Sequence, residues 1–129
     1  MRERILIVDF GSQYTHLIAR RIRELHVFSE IVPYFSEPDM SGVRGIVLSG
    51  GPMSVYDEDS PKMPKWLSEA CRKRIVPILG ICYGHQLLAY LFGGRVRRGE
   101  KGEFGPTEVH VVAKSRLFEG IPRSFRAWA

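Results

Sequence analysis

The residues best suited to chemistry in this chain are Gly80-Ile81-Cys82-Tyr83-Gly84. They stand between a short apolar run, Val76-Pro77-Ile78-Leu79, and a largely apolar segment over residues 84–92. G-x-C-x-G between a strand and a helix is the cysteine form of a nucleophile elbow, in which a strained turn pushes the reactive side chain out of the sheet. Glycines flank it because a Cβ at either position would clash across the turn. At a helix start Cys82 would also meet unpaired backbone N–H groups and the positive end of the helix dipole, which favour the thiolate. The competing reading is a structural cysteine in a glycine-rich turn; the strand before and the helix after favour the nucleophile. Cys71 is the contrast. It sits inside an ordinary helical stretch, Ser68-Glu69-Ala70-Cys71-Arg72, and reads as a small half-buried thiol.

A second pattern, Leu48-Ser49-Gly50-Gly51-Pro52, runs a strand into a glycine pair. Alone it is a turn. At the carboxyl end of a parallel strand, where open α/β sheets place their sites, it brings bare backbone N–H groups close to a substrate. Acyl transfer at a thiol needs an oxyanion hole built from such donors. The nominated pair is the Gly51 N–H from this loop and the Tyr83 N–H from the residue after the nucleophile.

These residues must be positioned by regular elements. Ile5-Leu6-Ile7-Val8 is an unbroken, β-branched run suited to a strand covered on both faces. Ser12 is read as an N-cap, followed by Tyr14, Leu17, Ile18, Ile22 and Leu25 at helical spacing, opposite Arg20, Arg23 and Glu24. Residues 27–34 and 45–48 read as further strands, 62–74 as a helix, 76–79 as a buried strand and 84–92 as a helix sunk in the core. The order β-α-β-β-α-β-α points to an α/β fold with a mostly parallel, doubly wound sheet. After Gly93, short runs at 95–98, 107–112 and 124–129 are broken by glycine and proline and read as hairpin or edge strands.

Composition bounds the rest. With 129 residues, 44% hydrophobic and 26% charged, the chain is one domain's worth of ordinary globular polypeptide at most. No apolar run approaches the roughly 18 residues of a membrane span, and no secretion signal opens the chain, so the expected location is the cytoplasm. Two cysteines are too few for a disulfide framework. The net charge of +5 comes from scattered basic residues. Their tightest cluster, Arg95, Arg97, Arg98 and Lys101, lacks interleaved aromatics and reads as a solvated face, so no direct nucleic-acid partner is expected.

Val8-Asp9-Phe10-Gly11-Ser12-Gln13-Tyr14, Arg20-Arg21-Ile22-Arg23-Glu24, the Gly-Gly-Pro loop with Ser54-Val55-Tyr56, the elbow and Glu103-Phe104-Gly105 together resemble the class I, or triad, glutamine amidotransferases. Within that class they are most similar to the amidotransferase domain of GMP synthases. Elbow and loop are common to the class, carbamoyl-phosphate and anthranilate synthase components included; the Asp-Phe-Gly-Ser-Gln-Tyr opening is more particular. The resemblance spans residues 5–129. It implies that Cys82 attacks the side-chain amide of glutamine, that Gly51 and Tyr83 form the oxyanion hole, and that Gln86, with Gly50, helps to hold the glutamine. It also implies a partner, an ATP-pyrophosphatase synthetase domain or subunit, which uses ATP and Mg to aminate XMP to GMP in purine biosynthesis. No cofactor or metal is expected in this domain, whose sequence has neither G-x-x-x-x-G-K-[ST] nor G-x-G-x-x-G.

The sequence departs from the family pattern in two places. His85 stands where GMP synthases more often carry methionine. The family's triad is completed by a His-x-Glu, yet His16, His26, His85 and His110 are followed two residues later by Ile18, Phe28, Leu87 and Val112. Residues 1–129 are therefore expected to be a partial amidotransferase domain, ending near Trp128 before the catalytic base. His85 is disfavoured as a substitute because a helix N-terminus opposes imidazolium, and His110 is read as a surface or core-edge residue. Two alternatives stay open: an amidotransferase component of another class I enzyme, and a non-catalytic scaffold.

Overall fold

The computed structural model describes residues 2–51, 63–96, 106–113 and 115–128. They belong to two compact bodies, residues 1–96 and 97–129. In the first body the chain forms β1 (Arg4–Asp9), α1 (Thr15–Glu24), β2 (Ser29–Pro33), β3 (Val43–Leu48), α2 (Lys65–Lys73), β4 (Ile78–Gly80) and α3 (Tyr83–Leu91). The four strands make one parallel sheet in the order β2-β1-β3-β4. After β1 the chain builds to one side, and after β2 it crosses to the other. The strand order therefore reverses between β1 and β3, and it is beyond their carboxyl ends that such sheets form a crevice.

Alternation along the buried strands decides which helix covers which face. Leu6 and Val8 of β1, Val32 of β2, and Ile46 and Leu48 of β3 pack with Leu67, Ala70 and Cys71 of α2 and with Tyr83 and Leu87 of α3. Ile7 and Val47 point the other way and meet Ala19, Ile18 and Ile22 of α1. Each Val, Leu or Ile among these that is fully buried contributes about 1.5–3 kcal/mol. Helices on both faces of a parallel sheet make this a doubly wound α/β body, as the order of elements in the sequence implied.

Several local expectations are corrected. Ser12 is not the N-cap: α1 begins at Thr15, and the Ser12 hydroxyl accepts the Tyr14 N–H at 3.0 Å in the preceding turn. The core face of α1 is Thr15, Ile18, Ala19 and Ile22, whereas Tyr14, Leu17 and Leu25 are exposed. Tyr14 and Leu25 flank the helix and so do not share its phase. Val27 and Phe28 lie before β2 and are exposed. β4 is only three residues long. α3 is not sunk: Tyr83, Gly84 and Leu87 are buried, but His85, Tyr90 and Phe92 face solvent. Of the run 95–98, Arg95 and Val96 form no strand; Arg97 and Arg98 lie outside the described residues, as do Pro52, Ser54-Val55-Tyr56, Lys101 and Glu103-Phe104-Gly105.

The amino end of the sheet is held by one cation. Arg4, 6% exposed, donates from its two terminal nitrogens to the carbonyls of Ser41 and Asp39 and pairs through Nε with Glu30 at 2.9 Å. The Asp39 carboxylate accepts the Ser41 N–H at 2.9 Å, and that bond holds its pKa below the ordinary value. The loop before β3 is thereby tied to β1 and β2.

Among its described residues the second body contains β5 (Pro106–His110) and β6 (Ser124–Trp128), antiparallel to one another with Pro106 opposite Trp128, and a 3-10 turn at Arg116–Phe118. The expected hairpin-like pair is present. Among the described residues no helix is long and apolar enough to cross a membrane.

Candidate active site

Cys82 occupies the cap position of α3 with φ 52° and ψ −114°, a conformation that side-chain-bearing residues seldom adopt. Short backbone bonds hold it there. The Ile81 N–H donates to the Leu48 carbonyl at 2.9 Å, the Gly84 N–H to Ile81 at 3.0 Å and the Gln86 N–H to Cys82 at 3.1 Å. Both elbow glycines are required by close approach: a Cβ on Gly80 would lie 2.8 Å from the His85 nitrogen, and one on Gly84 would lie 2.5 Å from the Leu48 carbonyl oxygen. The first turn of α3 therefore rests directly on β3. This turn leaves Cys82 exposed, whereas Cys71 is buried in α2, where desolvation pushes its thiol pKa up.

The loop leaving β3 is pressed against this elbow. A Cβ on Gly50 would sit 3.1 Å from the Cys82 Cβ, and one on Gly51 would sit 2.9 Å from the Phe10 carbonyl oxygen. Between them and β1 lies Ser49, whose residue exposure is 0%. Its N–H donates to the Val8 carbonyl at 3.1 Å, and its hydroxyl accepts the Phe10 N–H and donates to the Gly50 carbonyl, both at 3.3 Å. Phe10 meets Tyr83 edge to face at 5.7 Å and stacks on Tyr34 at 5.6 Å, and the Trp66 indole N–H donates to the Tyr34 carbonyl. Asp9 shapes the turn after β1, accepting from the Gly11 N–H at 2.8 Å and the Thr15 hydroxyl at 3.3 Å. Three strand exits thus converge: β1 through Phe10, β3 through Ser49 to Gly51, and β4 through Cys82.

Of the residues singled out from the sequence, Gly50 and Cys82 are in direct contact, while Gly51 and Tyr83 both pack on Phe10. Tyr83 is 2% exposed at the first position of α3, and Gln86 lies half-buried one turn along the same helix. All four histidines are exposed. Among the described residues no histidine of the first body hydrogen-bonds the Cys82 thiol, and His110, in the second, bonds Ser124 at 3.0 Å. Ser49 and Phe10 are the contributors that sequence reasoning passed over. A lone hydroxyl closing an apolar strand, and an aromatic directly after Asp9, were the signals that could have found them. Among the described residues no three His, Cys, Asp or Glu side chains gather as metal ligands would.

Residues 6–129 match the family model of class-I glutamine amidotransferases. The chain belongs to that family. This amidotransferase chain is 47% identical over 129 residues to the glutamine-hydrolyzing GMP synthase of Thermomicrobium roseum, covering 96% of the chain and 23% of that protein. It is 49% identical over 124 residues to the one from Thermotoga maritima, covering 96% of the chain and 24% of that protein. The chain thus spans about a quarter of the length of these curated relatives. Its fold is similar to the crystal structure of a GMP synthase subunit from Thermoplasma acidophilum, with a TM-score of 0.84 at 35% identity over 99% of this chain and 64% of that one.

Proposed function

We propose that this amidotransferase chain is the glutamine-hydrolysing part of a GMP synthase. The observation that carries the reading is the exposed Cys82 in strained elbow geometry with Gly50 packed against it. In the proposed reaction the Cys82 thiolate forms a bond to the side-chain amide carbon of glutamine, and the carbonyl π electrons move onto oxygen. That oxyanion is met by the N–H groups of Gly51 and Tyr83. Collapse expels the amide nitrogen, which takes up a proton and leaves as ammonia, and a thioester remains. Water then attacks the thioester, releasing glutamate and restoring the thiol. Gln86 and Gly50 border the place where the glutamine binds.

The relatives named above support GMP synthase over the carbamoyl-phosphate and anthranilate types. Ammonia would be used by an ATP-pyrophosphatase synthetase domain or subunit, with ATP and Mg bound there, to convert XMP to GMP. The amidotransferase chain itself takes no cofactor in this reading. None of the four histidines of residues 1–129 stands in a His-x-Glu, and this reading gives none of them the part of the base. Two free cysteines suit the reducing cytoplasm, where we place the reaction.

The test is glutamate release by the intact enzyme and by its Cys82→Ala variant, together with GMP formation from XMP, ATP and either glutamine or ammonia. Loss of the glutamine-dependent reactions in Cys82→Ala, with ammonia-dependent GMP formation retained, is the expected result. Glutaminase activity that survives in Cys82→Ala removes the nucleophile assignment, and a failure to make GMP from XMP removes the synthase assignment.

A further inference from the structure

We propose that Ser49 is a positioning residue that sets the direction of the Gly51 N–H. The inference rests on the reading of Gly51 as an oxyanion donor and extends it to the group that aims that donor. The Gly51 N–H and the Gly50 carbonyl belong to one planar, trans peptide unit, so they point in opposite directions. Fixing one fixes the other. Glycines on both sides leave this peptide unit little constrained, because neither residue has a Cβ to oppose rotation. Left to itself it would sample both orientations, and in one of them an oxygen rather than an N–H would face the developing negative charge.

The Ser49 hydroxyl removes that freedom. It donates to the Gly50 carbonyl at 3.3 Å while accepting the Phe10 N–H at 3.3 Å, and the Ser49 backbone is held to Val8 at 3.1 Å. Ser49 is fully buried, so water cannot readily take over either bond. The hydroxyl proton is therefore committed to the Gly50 carbonyl, and the Gly51 N–H is turned away from the buried end of β3. On the far side, contact between Gly51 and the Phe10 carbonyl limits movement of the same unit. A hydroxyl is needed here because it accepts from one backbone group and donates to another at the same atom.

Three measurements on the intact enzyme separate positioning from mere support. In Ser49→Ala, kcat for glutamine hydrolysis should fall by about ten- to a hundredfold, with KM within about threefold, as one misdirected donor costs less than or as much as a lost one. Alkylation of Cys82 by iodoacetamide forms no oxyanion and should keep its rate. Inhibition by the γ-aldehyde analogue of glutamine, whose carbonyl carbon adds the Cys82 thiol and becomes a tetrahedral hemithioacetal with its oxygen in the oxyanion position, should weaken by about the same factor as kcat. Ser49→Thr, which keeps the hydroxyl, should recover most of the activity. Unchanged kcat in Ser49→Ala, equal slowing of iodoacetamide alkylation, or a Thr variant as impaired as Ala would each overturn the proposal and leave the glutaminase reading standing. A wild-type enzyme with no Cys82-dependent glutaminase activity overturns that reading first. Should Ser49→Ala fail to fold, Ser49→Cys, similar in shape but a poor donor, carries the same comparison.

Discussion

The two ends of the parallel sheet are built from opposite materials. At the amino end one buried, charged side chain, Arg4, reaches three residues on two other segments and draws them together. At the carboxyl end the close contacts are made by residues with no side chain: Gly50 on Cys82, Gly51 on Phe10, Gly84 on Leu48. A long side chain with several donors tolerates small movements at either end, so it suits fastening. Backbone packed on backbone has no such slack, so it suits holding a reacting atom to within a fraction of an ångström. Changes at the amino end should therefore alter stability without chemistry. At the carboxyl end chemistry should fail first.

Gly51→Ala tests the second half of that contrast most severely. It should lower glutamate release by about a hundred- to a thousandfold, because the added Cβ meets the Phe10 carbonyl and displaces the N–H. Steady-state kinetics beside a melting curve would show whether activity is lost ahead of folding. Gly84→Ala should cost about 1–3 kcal/mol of stability along with activity, since the helix start must lift off β3; denaturant titration measures it. Arg4→Ala should cost a similar 1–3 kcal/mol by leaving the Ser41 and Asp39 carbonyls and the Glu30 carboxylate without their partner. Its kcat per folded molecule should match wild type. An Arg4 variant with weakened catalysis would mean that the two ends are coupled and the division false.

The cysteines sharpen the same contrast with a smaller effect. Iodoacetamide and peptide mapping on the folded protein should find Cys82 modified well before Cys71, given exposure of one and burial of the other. Burial raises the Cys71 pKa, so the stability tied to its neutral thiol is complete below the unfolded-state value and is lost as pH climbs through the folded one. The fall in melting temperature at alkaline pH should accordingly be shallower in Cys71→Ala. An equally steep fall would show that other groups set it.

The parallel strands and the elbow were legible because their signals are local. Ile5 to Val8 and Gly45 to Leu48 are apolar without alternation, and two glycines around a cysteine leave few structural explanations. The phase of α1 was legible only in part: Ile18 and Ile22 were placed on its core face and pack there, but Leu17 and Tyr14 were not seen to be exposed. Its seat on Ile7 and Val47 is Ala19, a side chain too small to stand out beside Leu17 and Tyr14, and buried Thr15 looks polar until its hydroxyl is seen bonded to Asp9 and to the Ser12 carbonyl. The part played by Ser49 was hidden for a related reason. Its partners, Phe10 and the Gly50 carbonyl, come together only when β1 and β3 pair, and no spacing within one segment announces a contact between residues 39 apart.

The left-handed backbone at Cys82 bears on how such a protein can change over generations. A glycine there would relax the turn, and replacing a strained residue in this way can return about 1 kcal/mol or more, less what the unfolded chain gains in freedom. Selection for heat resistance alone would thus drift toward removing the thiol. The residue that makes the turn unfavourable is the one that gives it a purpose, so the thermal margin this chain lacks at position 82 has to be found elsewhere, in places such as the ring of partners around Arg4.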